Sequence, residues 1–166
     1  MLQKTKQSKI KEIMQRNVLT VNPDQSLFHA SVLMASKNIG ILPVIKNDGT
    51  LVGILSDRDI ITRCIAVGKD ARKTKVFECM TSNPTRTVPS QSLGEVAELM
   101  SEFGTRRLPV VENDKLIGIV SISDIAKVSS FCPNEKHPDE SCILLNVAKE
   151  LQNSSHLEQG CTNCHL

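Results

Sequence analysis

The chain has 166 residues, 40% of them apolar and 23% charged, with a formal net charge of +2. That is the length of about one domain with an appendage, and the near-neutral balance makes no general case for nucleic acid or an anionic membrane as partner. No apolar stretch approaches the roughly 18 residues of a membrane span, and four Phe with no Tyr or Trp argue against single-stranded nucleic-acid binding through aromatic stacking.

In chain order, Lys4, Lys6, Lys9, Lys11 and Arg16 crowd the N-terminal segment. They read as a solvated leader and helix face. No apolar h-region follows, so a signal peptide is not expected and a cytoplasmic setting is. Ile10, Ile13 and Met14 form a short apolar turn, and residues 18–21 a brief extended piece. Ser26 is an N-cap candidate, after which Leu27, Ala30, Leu33 and Met34 recur at helical spacing. Two strands, Ile41–Ile45 and residues 51–55, are joined by Asn47-Asp48-Gly49-Thr50, turn residues that tolerate positive φ. A helix over residues 57–67 closes the unit, and residues 69–74 form a polar linker.

The same order then begins again. Met14-Gln15-Arg16-Asn17 is matched 66 positions later by Met80-Thr81-Ser82-Asn83, Leu33-Met34 by Leu99-Met100, and Leu42-Pro43-Val44 by Leu108-Pro109-Val110. After one deletion at Gly49, Leu51-Val52-Gly53-Ile54 meets Leu116-Ile117-Gly118-Ile119 at an offset of 65. In the second copy Val76 and Met80 make the apolar turn and residues 84–88 the extended piece. Ser92-Leu93-Gly94-Glu95 has the capping-box form, followed by the stripe Val96, Leu99, Met100, Phe103. Strands at residues 108–111 and 116–120 join around Asn113-Asp114, and a helix covers residues 122–128. The class is α/β in the α+β sense: two β-α-β-β-α repeats. A period near 65 is long for a solenoid repeat and short for an ordinary domain. Each copy therefore reads as half of a pseudo-symmetric domain, with a ligand expected in the cleft between halves. The division is 8–68, 75–129 and a tail, 130–166. Ile143, Leu144, Val147, Ala148 and Leu151 fit one more amphipathic helix in that tail.

Ser56-x-x-Asp59 and Ser121-x-x-Asp124 stand where a strand ends and a helix begins. One reading is local: a Ser N-cap and an Asp at N3, favoured by the helix dipole. The other is a carboxylate poised to accept both hydroxyls of a ribose, with the helix N-terminus toward phosphate. Cations are unequally shared. Arg58 has Ser123 as its counterpart, and Arg106-Arg107 stands where the first copy has Gly40-Ile41. A guanidinium suits phosphate bidentately, alternation along a strand lets only one of Arg106 and Arg107 face a cleft, and two sites of unequal affinity are expected.

These motifs resemble tandem cystathionine-β-synthase (CBS) domains, the pair known as a Bateman module. The residues that carry the resemblance are the Met-x-x-x starts, Leu-Pro-Val in the middle strand, and the endings Gly-Ile-Leu-Ser-Asp-Arg-Asp-Ile and Gly-Ile-Val-Ser-Ile-Ser-Asp-Ile; it covers roughly residues 8–129. It implies two small three-stranded sheets with two helices each, packed through the sheets about a pseudo-twofold axis. It also implies binding of an adenosine ligand (AMP, ADP, ATP or S-adenosylmethionine), a homodimer of modules, and regulation of a partner protein. By the same resemblance Asp59 and Asp124 hold the ribose beside Ser56 and Ser121. The base lies on Thr20, Val21, Ile41 and Pro43 in one cleft, and on Thr85, Thr87 and Pro109 in the other. On charge, Arg58 and one of Arg106 and Arg107 are the candidates for the phosphates.

No catalytic constellation stands out, and the chain is not read as an enzyme. His29 reads as a surface or core histidine, and Cys64 and Cys79 as buried thiols. In the tail, Cys161-x-x-Cys164 is a chelating knuckle that Cys132 and Cys142, with His137 as substitute, would complete as a zinc site. Cys161-Thr162-Asn163-Cys164-His165 also spells the haem c attachment pattern, set aside without an export signal. Two rival classes remain open: a nucleic-acid-binding regulator using the basic N-terminus and a metal-bound tail, and a structural dimerisation module with vestigial clefts.

Overall fold

A computed structural model describes residues 8–129. It is a mixed helix-and-strand fold with two small sheets, and chain contacts divide it into two units. Among the described residues no helix is long and apolar enough to cross a membrane.

The first unit comprises Arg16–Arg86 with Val111–Gly118. Helix α2 (Leu27–Lys37) starts at Ser26, whose side chain accepts from the His29 N–H, and ends at Asn38 in the left-handed region. It buries Leu27, Ala30 and Met34 against a core that also holds Leu42, Val44, Leu55 and Val76. Strands β1 (Ile41–Ile45) and β2 (Leu51–Ser56) pair antiparallel, with Leu42 opposite Leu55. The turn between them relies on Gly49 at φ +87°, a value that glycine adopts without steric cost. Val21 adds a parallel bridge to Val44 on the outer side of β1. On the other side β2 pairs with β3 (Thr81–Ser82). A short α1 (Ile10–Ile13) precedes all of this in the chain.

The second unit comprises residues 8–15, Thr87–Val110 and residues 119–129. Helix α4 (Leu93–Glu102) opens with the expected capping box between Ser92 and Glu95 and buries Leu93, Val96, Ala97 and Met100. Strands β4 (Arg107–Glu112) and β5 (Lys115–Ser121) form the second sheet. Asn113 and Asp114, at φ 51° and 61°, make the turn between them. Helix α5 (Ile122–Ser129) follows. Thr87 bridges Val110 in parallel, and Gln15 bridges Ile119 antiparallel through paired 2.9 Å backbone bonds. The order Thr87–β4–β5–Gln15 repeats Val21–β1–β2–β3 position for position. The segment that begins each sequence copy thus completes the sheet that holds the other copy's hairpin.

Several expectations are corrected by packing. Phe103, expected on the buried stripe of α4, is its C-cap and 55% exposed, because the helix ends one residue earlier. The helix expected over 57–67 is regular only in α3 (Asp57–Ile60); Ile61–Ile65 widen into a π turn, with the Ala66 N–H donating to Ile61 O at 2.8 Å. The extended pieces at 18–21 and 84–88 reduce to the single bridges at Val21 and Thr87. Residues 69–74 are no slack linker. The carbonyls of Thr74 and Ala71 accept from Leu27 and Phe28, covering N–H groups that a helix start leaves without partners, and Arg72 lies over the Phe28 ring.

Gly53 is where β3 fits against β2. A β-carbon there would lie 2.4 Å from Met80 Sδ and 3.1 Å from the Thr81 carbonyl oxygen. Gly53→Ala is therefore expected to destabilise the chain by about 1–3 kcal/mol, the usual cost of overpacking. Urea unfolding followed by circular dichroism checks this; a change below about 0.5 kcal/mol would mean that β3 yields freely.

Candidate functional site

Ser56 ends β2 in extended backbone and turns directly into α3. Its hydroxyl accepts from the Asp59 N–H at 3.1 Å and donates to Asp59 Oδ2 at 2.6 Å, while the Ser56 N–H donates to the same oxygen at 2.9 Å. The second copy repeats this closely: Ser121 Oγ to Asp124 Oδ2 at 2.6 Å, Ser121 N–H to Oδ2 at 3.0 Å, and Asp124 N–H to Ser121 Oγ at 3.3 Å. The local cap reading is thus realised in both copies. It uses only one oxygen of each carboxylate. Bonds to an ionised acceptor are the strong kind, about 1.5–3 kcal/mol each, so both aspartates are held in one orientation with Oδ1 on the other side.

What meets Oδ1 differs between the copies. At Asp59 it is Arg63 Nη2, 3.4 Å away across one helical turn. Nη1 of the same guanidinium donates to the carbonyls of Cys79 and Met80 at 3.0 and 3.1 Å and reaches Thr81 Oγ1 at 3.4 Å. At Asp124 it is the Gln15 carboxamide, Nε2 at 3.3 Å, with Lys127 Nζ at 3.7 Å. The spacing of Asp59 and Arg63 is visible in the sequence, but the three backbone and hydroxyl contacts are not. Nothing in the sequence pairs Gln15 with Asp124, which lie more than a hundred positions apart.

The other expected ligand residues fall as follows. The Val21 N–H donates to the Pro43 carbonyl at 3.1 Å, and the Thr87 N–H to the Pro109 carbonyl at 3.0 Å, so each expected base-binding pair is joined through its backbone. Val21, Pro43, Thr87 and Pro109 are buried, while Thr20, Ile41 and Thr85 keep partial exposure. Thr85 falls in the first unit, not with Ser121 and Asp124. The Thr87 hydroxyl is committed to Gln91 Oε1. Arg58, Arg106 and Arg107 are exposed. The Arg106 carbonyl accepts from the Ile122 N–H at 2.9 Å, as the Gly40 carbonyl does from Asp57 at 3.0 Å; the backbone at Arg106 thus does the same work in both copies, leaving its side chain as the difference.

His29 is exposed on α2. Cys64 and Cys79 are free, fully buried thiols, and burial pushes the Cys79 thiol above its ordinary range, which lowers its reactivity. Among the described residues no group of His, Cys, Asp and Glu could hold a metal ion. The expected zinc ligands Cys132, Cys142, Cys161 and Cys164, with His137, lie outside the described residues.

A family model described as "CBS domain" matches residues 10–65 and 76–130. The CBS domain-containing protein YhcV of Bacillus subtilis is 40% identical over 119 residues, 72% of this chain and 84% of that protein. Among solved structures, Hypoxic Response Protein I with two coordinated zinc ions is similar at 32% identity and a TM-score of 0.67, over 72% of this chain and 98% of that one. CBSX2 in complex with AMP is similar at 30% identity and a TM-score of 0.66, over 74% and 96%.

Proposed function

The chain belongs to the CBS domain family, and from that premise we propose that it is a regulatory module that senses an adenosine ligand and controls a partner protein. The observation that carries the reading is the twice-built Ser-x-x-Asp cap. Its Oδ2 is locked in the turn and its Oδ1 is directed away from it in both copies. A carboxylate fixed in this way is a ready acceptor for sugar hydroxyls, and the AMP complex of CBSX2 makes an adenosine ligand the first to try. The base would lie at Thr20 and Ile41 in one cleft and against the Thr87–Pro109 pair in the other, and phosphate would meet Arg58 and one of Arg106 and Arg107. We assign the module no catalysis and a cytoplasmic setting.

A thermal-shift panel of AMP, ADP, ATP, S-adenosylmethionine and NAD tests this. A ligand at 100 times its dissociation constant adds about 2.7 kcal/mol of stability, and no shift with any of the five would overturn the proposal. Arg58→Ala and Arg107→Ala should weaken ATP more than adenosine, and added salt should narrow the gap between the two ligands. Equal losses for both ligands, measured by calorimetry, would assign the arginines to the fold.

A homodimer is part of the same reading, supported by the outer face of α3 and its π turn. Ile60 is core at 7% exposure, whereas Ile61 and Ile65 are 59% and 56% exposed. Ile61 borders a groove of about 410 Å³ that Met34 and Ile39 also line. Light scattering should give twice the 18.3 kDa of one chain, and Ile61→Glu with Ile65→Glu should return it to a single mass. Zinc in the tail is tested separately, by elemental analysis of protein purified without added metal.

A further inference from the structure

The two caps are copies of one another up to Oδ2 and part company at Oδ1. We infer that this difference ranks the two sugar sites: Asp124, fronted by Gln15, takes the ligand first, and Asp59 is held shut by Arg63. The inference rests on the adenosine-ligand reading and deepens it.

Arg63 is not a loose surface cation. Its Nη1 is tied to two main-chain carbonyls and lies close to Thr81 Oγ1, and its Nη2 faces Asp59 Oδ1. It lies in the π turn at Ile61–Ile65, four residues after Asp59. A sugar hydroxyl approaching Oδ1 meets an oxygen whose charge is already matched by a guanidinium, and displacing that group costs its bonds to the carbonyls of Cys79 and Met80 as well. Val128 stands at the corresponding position of the second copy, and it brings no such donor.

Asp124 Oδ1 instead meets a neutral carboxamide at 3.3 Å, and Oδ2 meets the same nitrogen at 3.5 Å. Both are long, as is the 3.4 Å approach of Arg63 to Asp59, but the carboxamide carries no charge and, among the described residues, makes no further side-chain bonds of the kind that tie Arg63 to Cys79 and Met80. The Gln15 backbone is pinned to Ile119 by two 2.9 Å bonds while the residue itself is exposed. Its amide can therefore turn aside without disturbing the sheet. Once turned, it presents both a donor and an acceptor beside the carboxylate, which matches the hydroxyl pair of a ribose. The Lys127 ammonium stands 3.7 Å from Oδ1, farther than the Arg63 guanidinium stands from Asp59. Gln15 is then a specificity-determining residue contributed by the segment that opens the first copy, and Arg63 is a positioning residue acting through Asp59.

Calorimetry with AMP on the full chain separates these roles. The wild-type protein should bind one AMP per chain in its tighter event, lost in Asp124→Asn and retained in Asp59→Asn. Gln15→Ala should weaken that event by about tenfold or more, the loss of a hydrogen-bonding group beside a charged one. Arg63→Met should add a second event of comparable affinity, abolished by a further Asp59→Asn. A gain of binding is a result that mere loss of structure cannot give. Should Arg63→Met fail to fold, Arg63→Gln keeps donors for the carbonyls without the charge and should show the same gain. A tight event removed by Asp59→Asn and spared by Asp124→Asn, or a stoichiometry unmoved by both Arg63 variants, overturns the ranking alone. Absence of AMP, ADP and ATP binding in the wild-type chain and every variant overturns the adenosine reading, and the ranking with it.

Discussion

Ile10→Ala should lower the stability of the chain by about 2–5 kcal/mol, the range for truncating a buried Ile or Leu. The residue belongs to the short apolar turn set among the N-terminal lysines. In the structure Ile10 has no exposed surface, its N–H donates to the Gln91 carbonyl at 3.0 Å, Lys11 donates to the Pro89 carbonyl, and Lys9 bridges Ser92. The segment is thereby fastened to the start of α4. With no Trp and no Tyr in the sequence, far-ultraviolet circular dichroism in urea is the measurement, with the half-buried Ile13→Ala as the milder comparison. A cost for Ile10→Ala below about 0.5 kcal/mol, typical of surface positions, would mean that the leader is not docked.

The second large effect is on binding. Asp124→Asn should weaken the adenosine ligand by about 1.5–3 kcal/mol, the worth of a hydrogen bond to a charged group. Asparagine keeps the shape of the side chain and an acceptor for the Ser121 N–H, so the fold should be retained. Ser121→Ala is the control in the opposite sense. It removes the cap hydroxyl, for which a loss of about 0.5–2 kcal/mol of stability is usual, but leaves the carboxylate in place. If the two substitutions shift affinity and stability in parallel, Asp124 is only a cap.

The strands and turns were legible because their signals are local. Ile41–Ile45 and the Ser92–Glu95 capping box stand where spacing put them, since turn residues and caps act within four positions of themselves. The aspartates were legible because the motif occurs twice. The residues that make them unequal were not. Arg63 acts through a widened turn and through carbonyls sixteen and seventeen positions away, and no periodicity announces a π turn. Gln15 was hidden by the repeat itself: an internal offset tells which residues correspond, and says nothing of which copy each will pair with. Phe103 caps α4, and an apolar residue at helical spacing looks the same one position inside a helix as at its cap.

The crossed completion of the two sheets bears on how such a chain could have arisen. A polypeptide holding one copy alone would have an open hairpin edge where Gln15 or Thr81–Ser82 now pairs. Two such polypeptides, paired as the copies are here, would trade those segments, which is domain swapping. Holding both copies in one chain makes that trade intramolecular, so that it is set by the reach of the intervening chain and not by protein concentration.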